Sequence, residues 1–125
     1  MTPTELEQAL ANFTGTEHYY RWNLLYPNFL LTDGAKFLAE EAGAFWLMDL
    51  FASYFNAFRA EGFAVLKLAT DLEAHTAEAR IEGGNDNLLA SQSIEYSDFP
   101  LPQITLFAAP SGHENRWVIL LPSEY

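Results

Sequence analysis

The spacing of apolar residues divides this chain into a helical half and a strand-forming half. Near the N-terminus the apolar positions recur at i, i+3, i+4 and i+7, the spacing of one helix face: Leu6, Ala9, Leu10 and Phe13. Beyond about residue 63 the period shortens to two, and residues 76–82 alternate small or apolar side chains with charged ones. The pattern predicts one domain over 1–125, helical over about 1–62 and β over about 63–125.

Polar residues mark where the helices begin and end. Thr4, with Glu7 three positions later, predicts a capping box for the first helix. Either Thr32 or Asp33 is suited to cap the second helix. A further helix is predicted over about 44–60, closed by Gly62. Between the first two helices, the aromatic stretch 18–22 favours a strand or an extended segment.

The second half predicts five strands with strong turn signals between them. The candidates are residues 65–70, 76–82, 88–96, 103–109 and 116–121. The intervening stretches GGNDN, FPLP and PSGHEN are rich in turn-forming residues. Consecutive strands with short connections indicate an antiparallel β-meander of about five strands. The predicted fold is therefore a two-layer α+β domain, with the N-terminal helices packed on one face of that meander.

The most apolar run of the chain, AFWLMDLFASYF, contains a single charge at Asp49. At about 100° per residue, Asp49, Ser53 and Asn56 share one narrow polar stripe, opposite a wide apolar arc. Three interpretations stay open for Asp49. In the first, Asp49 faces water. In the second, it is buried and bonded to a neighbour such as Tyr19, Tyr20, Arg21 or Trp22. In the third, it lines a functional surface.

Composition and charge exclude several classes of function. The chain has no cysteine, which removes disulfides and thiolate chemistry. Its net charge of −11, with six lysines and arginines, argues against direct binding to nucleic acid or to an anionic membrane. It favours a protein partner with a basic surface. Without a secretory signal or a membrane-spanning run, we expect a cytoplasmic protein.

No familiar catalytic or metal-binding motif is present. His18, His75 and His113 never stand at ligand spacing, so we expect neither a metal nor a cofactor. The pair Glu40–Glu41 diverges on its helix and makes a poor acid–base pair. An uncatalogued reaction stays open and would draw on the following candidates: Asp33, Asp49, His75 or Asp98. The sequence assigns no catalytic residue and favours a protein that is not an enzyme.

Four stretches together carry a resemblance: FTGTEHYYR, LLTDGAKFLAEEAGAFWLMD, SQSIEYSDFPLPQITLF and the terminal VILLPSEY. On these motifs the chain resembles a family of small bacterial proteins of unknown function, often met on plasmids, phages and other mobile elements. The resemblance covers residues 10–125 and implies no established reaction. The motifs also read as fold-building features. Phe99 is expected in the core, and the end of the chain is expected to be pinned by Tyr125 and the chain-end carboxylate.

Three hypotheses follow from the sequence. The first is an acidic interaction protein, accessory to a mobile element, that binds a host or element-encoded protein. Its predicted partner contacts are Trp46, Asp49, Ser53, Asn56, Glu78 and Glu82. The second is a small-molecule binder or enzyme with a pocket between helices and sheet, lined by the surplus aromatic residues. The third is a self-associating structural protein, a homodimer joined through the wide apolar arc.

Overall fold

The computed structural model describes residues 1–112 and 115–125. The helices are α1 (Pro3–Ala11), α2 (Asp33–Glu41), α3 (Phe45–Ser53) and α4 (Phe55–Phe58), with 3₁₀ turns at Arg59–Glu61 and Pro122–Glu124. The strands are β1 (Phe29–Leu31), β2 (Ala64–Asp71), β3 (Thr76–Gly83), β4 (Leu88–Ile94), β5 (Gln103–Pro110) and β6 (Trp117–Leu120). The mixed α+β class is as predicted, with the helices N-terminal.

The sheet corrects the prediction of a five-stranded antiparallel meander. The described residues form a six-stranded mixed sheet in the order β1-β6-β5-β2-β3-β4. Strand β1 pairs in parallel with β6, and β5 pairs with β2 rather than with its sequence neighbour β4. The connection between β4 and β5 therefore crosses the end of the sheet. Phe99 and Leu101 in that connection are buried, as was predicted for Phe99.

Strand β1 was not predicted from the sequence because it is short. Its three residues, FLL, are too few to display a period of two, and they follow the turn residues of Tyr26–Pro27. The parallel pairing aligns Phe29 with Trp117 and Leu31 with Ile119. Such a contact, made between residues almost ninety positions apart, leaves no local signal.

Two helix predictions need correction. The cap of α1 is Thr2 rather than Thr4: the Thr2 hydroxyl accepts from Glu5 N at 3.1 Å, and the Glu5 carboxylate accepts from Thr2 N at 3.0 Å. This choice places Pro3 at the first helical position, where its fixed φ is favourable. The helix predicted over 44–60 breaks at Tyr54 into α3, α4 and a 3₁₀ turn. Gly62 closes it with φ +74°, the left-handed end that was predicted.

Helices and sheet share one hydrophobic core. Alternate residues of β2 are buried, namely Ala64, Leu66 and Leu68, and so are alternate residues of β3 (Ala77, Ala79 and Ile81). Against them pack fully buried side chains of the helices, including Leu38, Leu47, Phe51 and Phe58. Phe58 lies at the centre of an aromatic cluster with ring contacts to Phe29, Phe51, Phe55 and Trp117. This rigid body positions the segment that follows Tyr20.

Candidate functional site

Residues 21–28 form a compact loop, and the residues that flank it are joined. Tyr20 N donates to Leu31 O at 2.9 Å, and Leu31 N donates to Tyr20 O at 2.8 Å. A loop of this length closed at its base is an Ω-loop, a class that is frequently functional. We call residues 21–28 the anchored loop.

Hydrogen bonds within the anchored loop are centred on Asn23. Leu25 N donates to the side-chain oxygen of Asn23 at 2.9 Å, which makes an Asx turn. Tyr26 N donates to Asn23 O at 3.1 Å, and Phe29 N donates to Tyr26 O at 3.1 Å. The loop is therefore built of successive tight turns and not of unsupported chain.

Asp49 fastens the anchored loop to α3. Its Oδ1 accepts from Trp22 Nε1 at 2.8 Å and from Asn23 Nδ2 at 2.9 Å. The residue is half-buried, and Trp22 is one of the four neighbours that the sequence offered as its partner. Its Oδ2 has no hydrogen-bond partner within residues 1–112 and 115–125. The charge in the apolar run is thus a loop anchor with one oxygen still free.

The tip of the anchored loop exposes two leucines. Leu24 is 93% exposed and Leu25 is 79% exposed, although the side chain of Asn23, directly before them, is fixed by hydrogen bonds. No prediction from the sequence covered these two leucines. The available signal was the pair of adjacent leucines set between Asn23 and a Tyr-Pro turn, where polar residues are usual.

A cleft of about 320 Å³ lies between the anchored loop and helices α2 and α3. Aromatic and charged side chains line it: Tyr20, Arg21, Trp22, Lys36, Phe45 and Asp49. The Lys36 ammonium is 3.2 Å from the Glu40 carboxylate and 4.7 Å from the centre of the Tyr20 ring. Arg21 has no ion-pair or hydrogen-bond partner in the described part of the chain. Small-molecule sites commonly combine apolar walls with a few convergent polar groups, as here.

The six predicted contact residues do not lie together. Asp49 lines the cleft, whereas Ser53 and Asn56 are exposed and border a neighbouring cavity of about 250 Å³ beside Leu25 and Tyr26. Trp46 is half-buried against the core. The two β3 residues, Glu78 and Glu82, are in the sheet, where Glu78 is exposed but Glu82 is only 7% exposed. Lys67 Nζ approaches the Glu82 carboxylate to 3.1 Å and Arg80 Nε approaches it to 3.8 Å, so this acid is engaged within the chain.

Three motifs of the resemblance meet at the N-terminus of α2. Thr32 caps the helix by accepting from Ala35 N at 3.2 Å, and its hydroxyl donates to the Glu124 carboxylate at 2.6 Å. That carboxylate also accepts from Gly34 N at 3.0 Å. A Cβ on Gly34 would lie 2.6 Å from Glu124 Oε1 and 2.6 Å from Leu121 Cδ1, so a larger residue here would force these side chains to shift. The C-terminus is pinned by Glu124, while the Tyr125 ring packs on nearby aromatic rings.

Asp33 ties the segment before the anchored loop to the same helix end. Its carboxylate accepts from Glu17 N at 2.9 Å and from the Tyr20 hydroxyl at 2.9 Å. The Glu17 N–H and then the Tyr20 hydroxyl lower the pKa of Asp33, because both hydrogen bonds favour the charged carboxylate. The same hydrogen bond raises the pKa of Tyr20, because it is lost when the Tyr20 hydroxyl gives up its proton. Asp33 is thus a structural acid at the base of the loop.

The described residues also bear on metal binding and on membrane insertion. Within residues 1–112 and 115–125 no three His, Asp or Glu side chains cluster in a way that could hold a metal ion. His113 and Glu114, noted in the sequence, lie outside the described residues. Across the described helices, none is long and apolar enough to cross a membrane.

The fold and the loop together define the class of this protein: a small α+β domain with a six-stranded mixed sheet and an anchored loop on its helical side. The chain belongs to a family of unknown function, DUF6876, which matches residues 4–125. The fold is similar to that in the crystal structure of a protein of unknown function from Enterococcus faecalis, with a TM-score of 0.56 and 15% identity. That similarity covers 86% of this chain and 98% of the other. A comparison with curated proteins finds no match.

Proposed function

We propose that this protein is a non-catalytic interaction domain, accessory to a bacterial mobile element, that binds a host or element-encoded protein through the anchored loop. The observation that supports this proposal is the exposure of Leu24 and Leu25, at 93% and 79%, on an ordered loop tip. Single exposed apolar residues are normal on protein surfaces. Two adjacent leucines on a loop held by side-chain hydrogen bonds are a less ordinary feature.

The anchoring of the loop favours binding. Ordering a flexible loop on association costs free energy, and a loop that is already ordered avoids much of that cost. Here the order comes from the Tyr20–Leu31 pairing and from the bonds of Asp49 to Trp22 and Asn23. Burial of an exposed leucine side chain in a partner contributes about 1.5–3 kcal/mol. The two leucines are therefore suited to fill an apolar recess on the partner.

The charge of the chain suggests the chemistry of that partner. A net charge of −11 repels acidic proteins and attracts basic ones over distances of about a Debye length. Ser53 and Asn56 border the cavity beside Leu25 and supply a polar rim, and exposed acids such as Glu78 add to the general field. The proposed partner is a protein with an apolar recess edged by lysine or arginine. Such a partner should associate more slowly as the salt concentration rises.

The test is co-purification with a matched control. Tagged protein is expressed in its own host, and proteins recovered at near-equal amounts are identified by mass spectrometry. The double variant L24S/L25S removes the two exposed leucines, while Leu72→Ser changes a leucine that is 46% exposed elsewhere in the chain. We expect one basic partner to be retained by the wild type and by Leu72→Ser but lost by L24S/L25S.

Two results would count against the proposal. Equal recovery of the partner by L24S/L25S would show that the loop tip is not the contact. Recovery of the protein alone would favour the second candidate function, a small-molecule binder that uses the cleft of about 320 Å³. Light scattering tests self-association. A mass of 14.1 kDa would exclude a homodimer. A doubled mass in the wild type that returns to the monomer mass in L24S/L25S would show that the loop tip binds a second copy of the chain.

A further inference from the structure

We propose that the cleft between the anchored loop and α3 binds a free α-amino acid with an aromatic or large apolar side chain. This goes beyond the display of Leu24 and Leu25, neither of which lines the cleft. Two residues that line this cavity lack a full set of partners in the described part of the chain: Arg21, which has none, and Asp49, whose Oδ2 makes no hydrogen bond.

The charges of the cleft define the polar end of the ligand. Arg21 has no partner within the described residues, whereas the other cation, Lys36, is already 3.2 Å from the Glu40 carboxylate. Asp49 commits Oδ1 to Trp22 and Asn23 and leaves Oδ2 free. One uncommitted cation and one uncommitted carboxylate oxygen match one carboxylate and one ammonium group on the ligand. An α-amino acid carries both on its α-carbon.

The walls and size of the cleft define the rest of the ligand. Trp22 and Phe45 present aromatic surface, and Phe45 is 37% exposed although it belongs to the apolar run. The volume of about 320 Å³ is at the lower end for small-molecule sites and suits a single amino acid.

The charge of the whole chain selects a zwitterion over an anion. Nucleotides also combine a stacking ring with groups that bind arginine, so they are the obvious competing class. A phosphate would approach a protein of net charge −11 and would rely on Arg21 alone as an uncommitted cation. A zwitterion of net charge zero meets no such long-range repulsion.

The experiment follows the indole N–H signals of ¹⁵N-labelled protein by NMR. Three tryptophans give three signals: Trp22 in the cleft, Trp46 on α3 and Trp117 in the core, with Trp22→Phe assigning the first. L-phenylalanine is titrated beside N-acetyl-L-phenylalanine, which lacks the ammonium group, and L-phenylalaninamide, which lacks the carboxylate. We expect a saturable shift of Trp22 with a Kd in the millimolar range or tighter, while Trp117 stays in place. Each blocked analogue should bind at least about tenfold more weakly.

Variants assign each charge to its residue. Asp49→Asn keeps an acceptor for Trp22 and Asn23 and should remove the preference for L-phenylalanine over its N-acetyl form. Arg21→Gln should remove the preference over the amide, and Arg80→Gln, in the sheet, controls for the change of net charge. L24S/L25S should bind the amino acid as the wild type does, so this result is independent of partner binding.

Three outcomes would overturn the proposal. The first is binding of N-acetyl-L-phenylalanine as tight as that of L-phenylalanine by the wild type. The second is a Trp22 signal that does not move at any concentration of phenylalanine, tryptophan or leucine in the millimolar range. The third is tighter binding of adenosine or guanosine monophosphate, which would assign the cleft to a different class of ligand. The analogue series uses wild-type protein, so it stands even if a variant fails to fold.

Discussion

Replacing Asp49 with alanine should release the anchored loop from α3. The change removes the acceptor of two hydrogen bonds, from Trp22 Nε1 at 2.8 Å and from Asn23 Nδ2 at 2.9 Å. Hydrogen bonds to a charged group contribute about 1.5–3 kcal/mol each when they are buried. Asp49 is only half-buried, so water can replace part of both bonds. We therefore expect the free energy of unfolding to fall by about 1–3 kcal/mol in total.

The size of this effect is measured by urea unfolding, and its location by hydrogen exchange. Asp49→Asn retains one acceptor oxygen and should lose less than about 1 kcal/mol. Glu78→Gln removes an exposed acid that makes no hydrogen bond or ion pair to the described residues, so it reports the effect of net charge alone. In Asp49→Ala the Leu25 N–H, bonded to the Asn23 side chain, should exchange faster than in the wild type.

A double-mutant cycle with Trp22→Phe isolates the bond between the indole and the carboxylate. Residues in direct contact usually show coupling energies of about 0.5–3 kcal/mol, and we expect the lower part of that range here. The reasoning would be refuted if Asp49→Ala matched Glu78→Gln in stability and left the exchange of Leu25 unchanged. The loop would then be held by its base at Tyr20 and Leu31, and Asp49 would be a solvent-facing acid.

Three further predictions test the body of the fold. Phe58→Ala should lower the free energy of unfolding by about 3–5 kcal/mol in urea, because Phe58 is fully buried among aromatic rings. Gly34→Ala should cost about 1–3 kcal/mol in the same assay, since the new Cβ would displace the Glu124 carboxylate from its hydrogen bonds; wild-type stability would show that this carboxylate moves freely. The Glu17 N–H lowers the pKa of Asp33, so the charged Asp33 carboxylate stabilises the folded protein. This contribution is complete above the pKa of an ordinary aspartate, about 3.9, and is lost as the pH falls from that value through the lower pKa of the folded state. Urea unfolding between about pH 5 and 2 should therefore show a shallower acid limb in Asp33→Asn than in the wild type.

Local signals predicted those elements that local forces determine. Thr32 as a helix cap, Gly62 as a left-handed helix end and the alternation in β3 were all readable, because each depends on neighbours a few residues away. The cap of α1 was misplaced by two residues because Thr2 and Thr4 offer the same T-x-x-E spacing. Only the position of Pro3 distinguishes the two.

The candidate site shows the limit of the same reasoning. Periodicity placed Asp49, Ser53 and Asn56 on one polar stripe, and Ser53 and Asn56 are indeed exposed. It did not show that the anchored loop lies across that stripe, or that Trp22 is the partner among four candidates. Leu24 and Leu25 were missed because their exposure depends on where the loop is fastened.

The sequence by itself determined the α+β class, the order of helices before strands, and the acidic surface with its six scattered cations. These properties follow from side-chain periodicity and composition, which need no knowledge of distant contacts. Tertiary structure alone decided the parallel pairing of β1 with β6, the crossing from β4 to β5, and the meeting of Trp22 with Asp49. Each of these joins residues far apart in the chain, and the gain from burial and hydrogen bonding in the complete fold selects them. The anchored loop and its cleft belong to this second group, because the geometry of both depends on where folding brings α3.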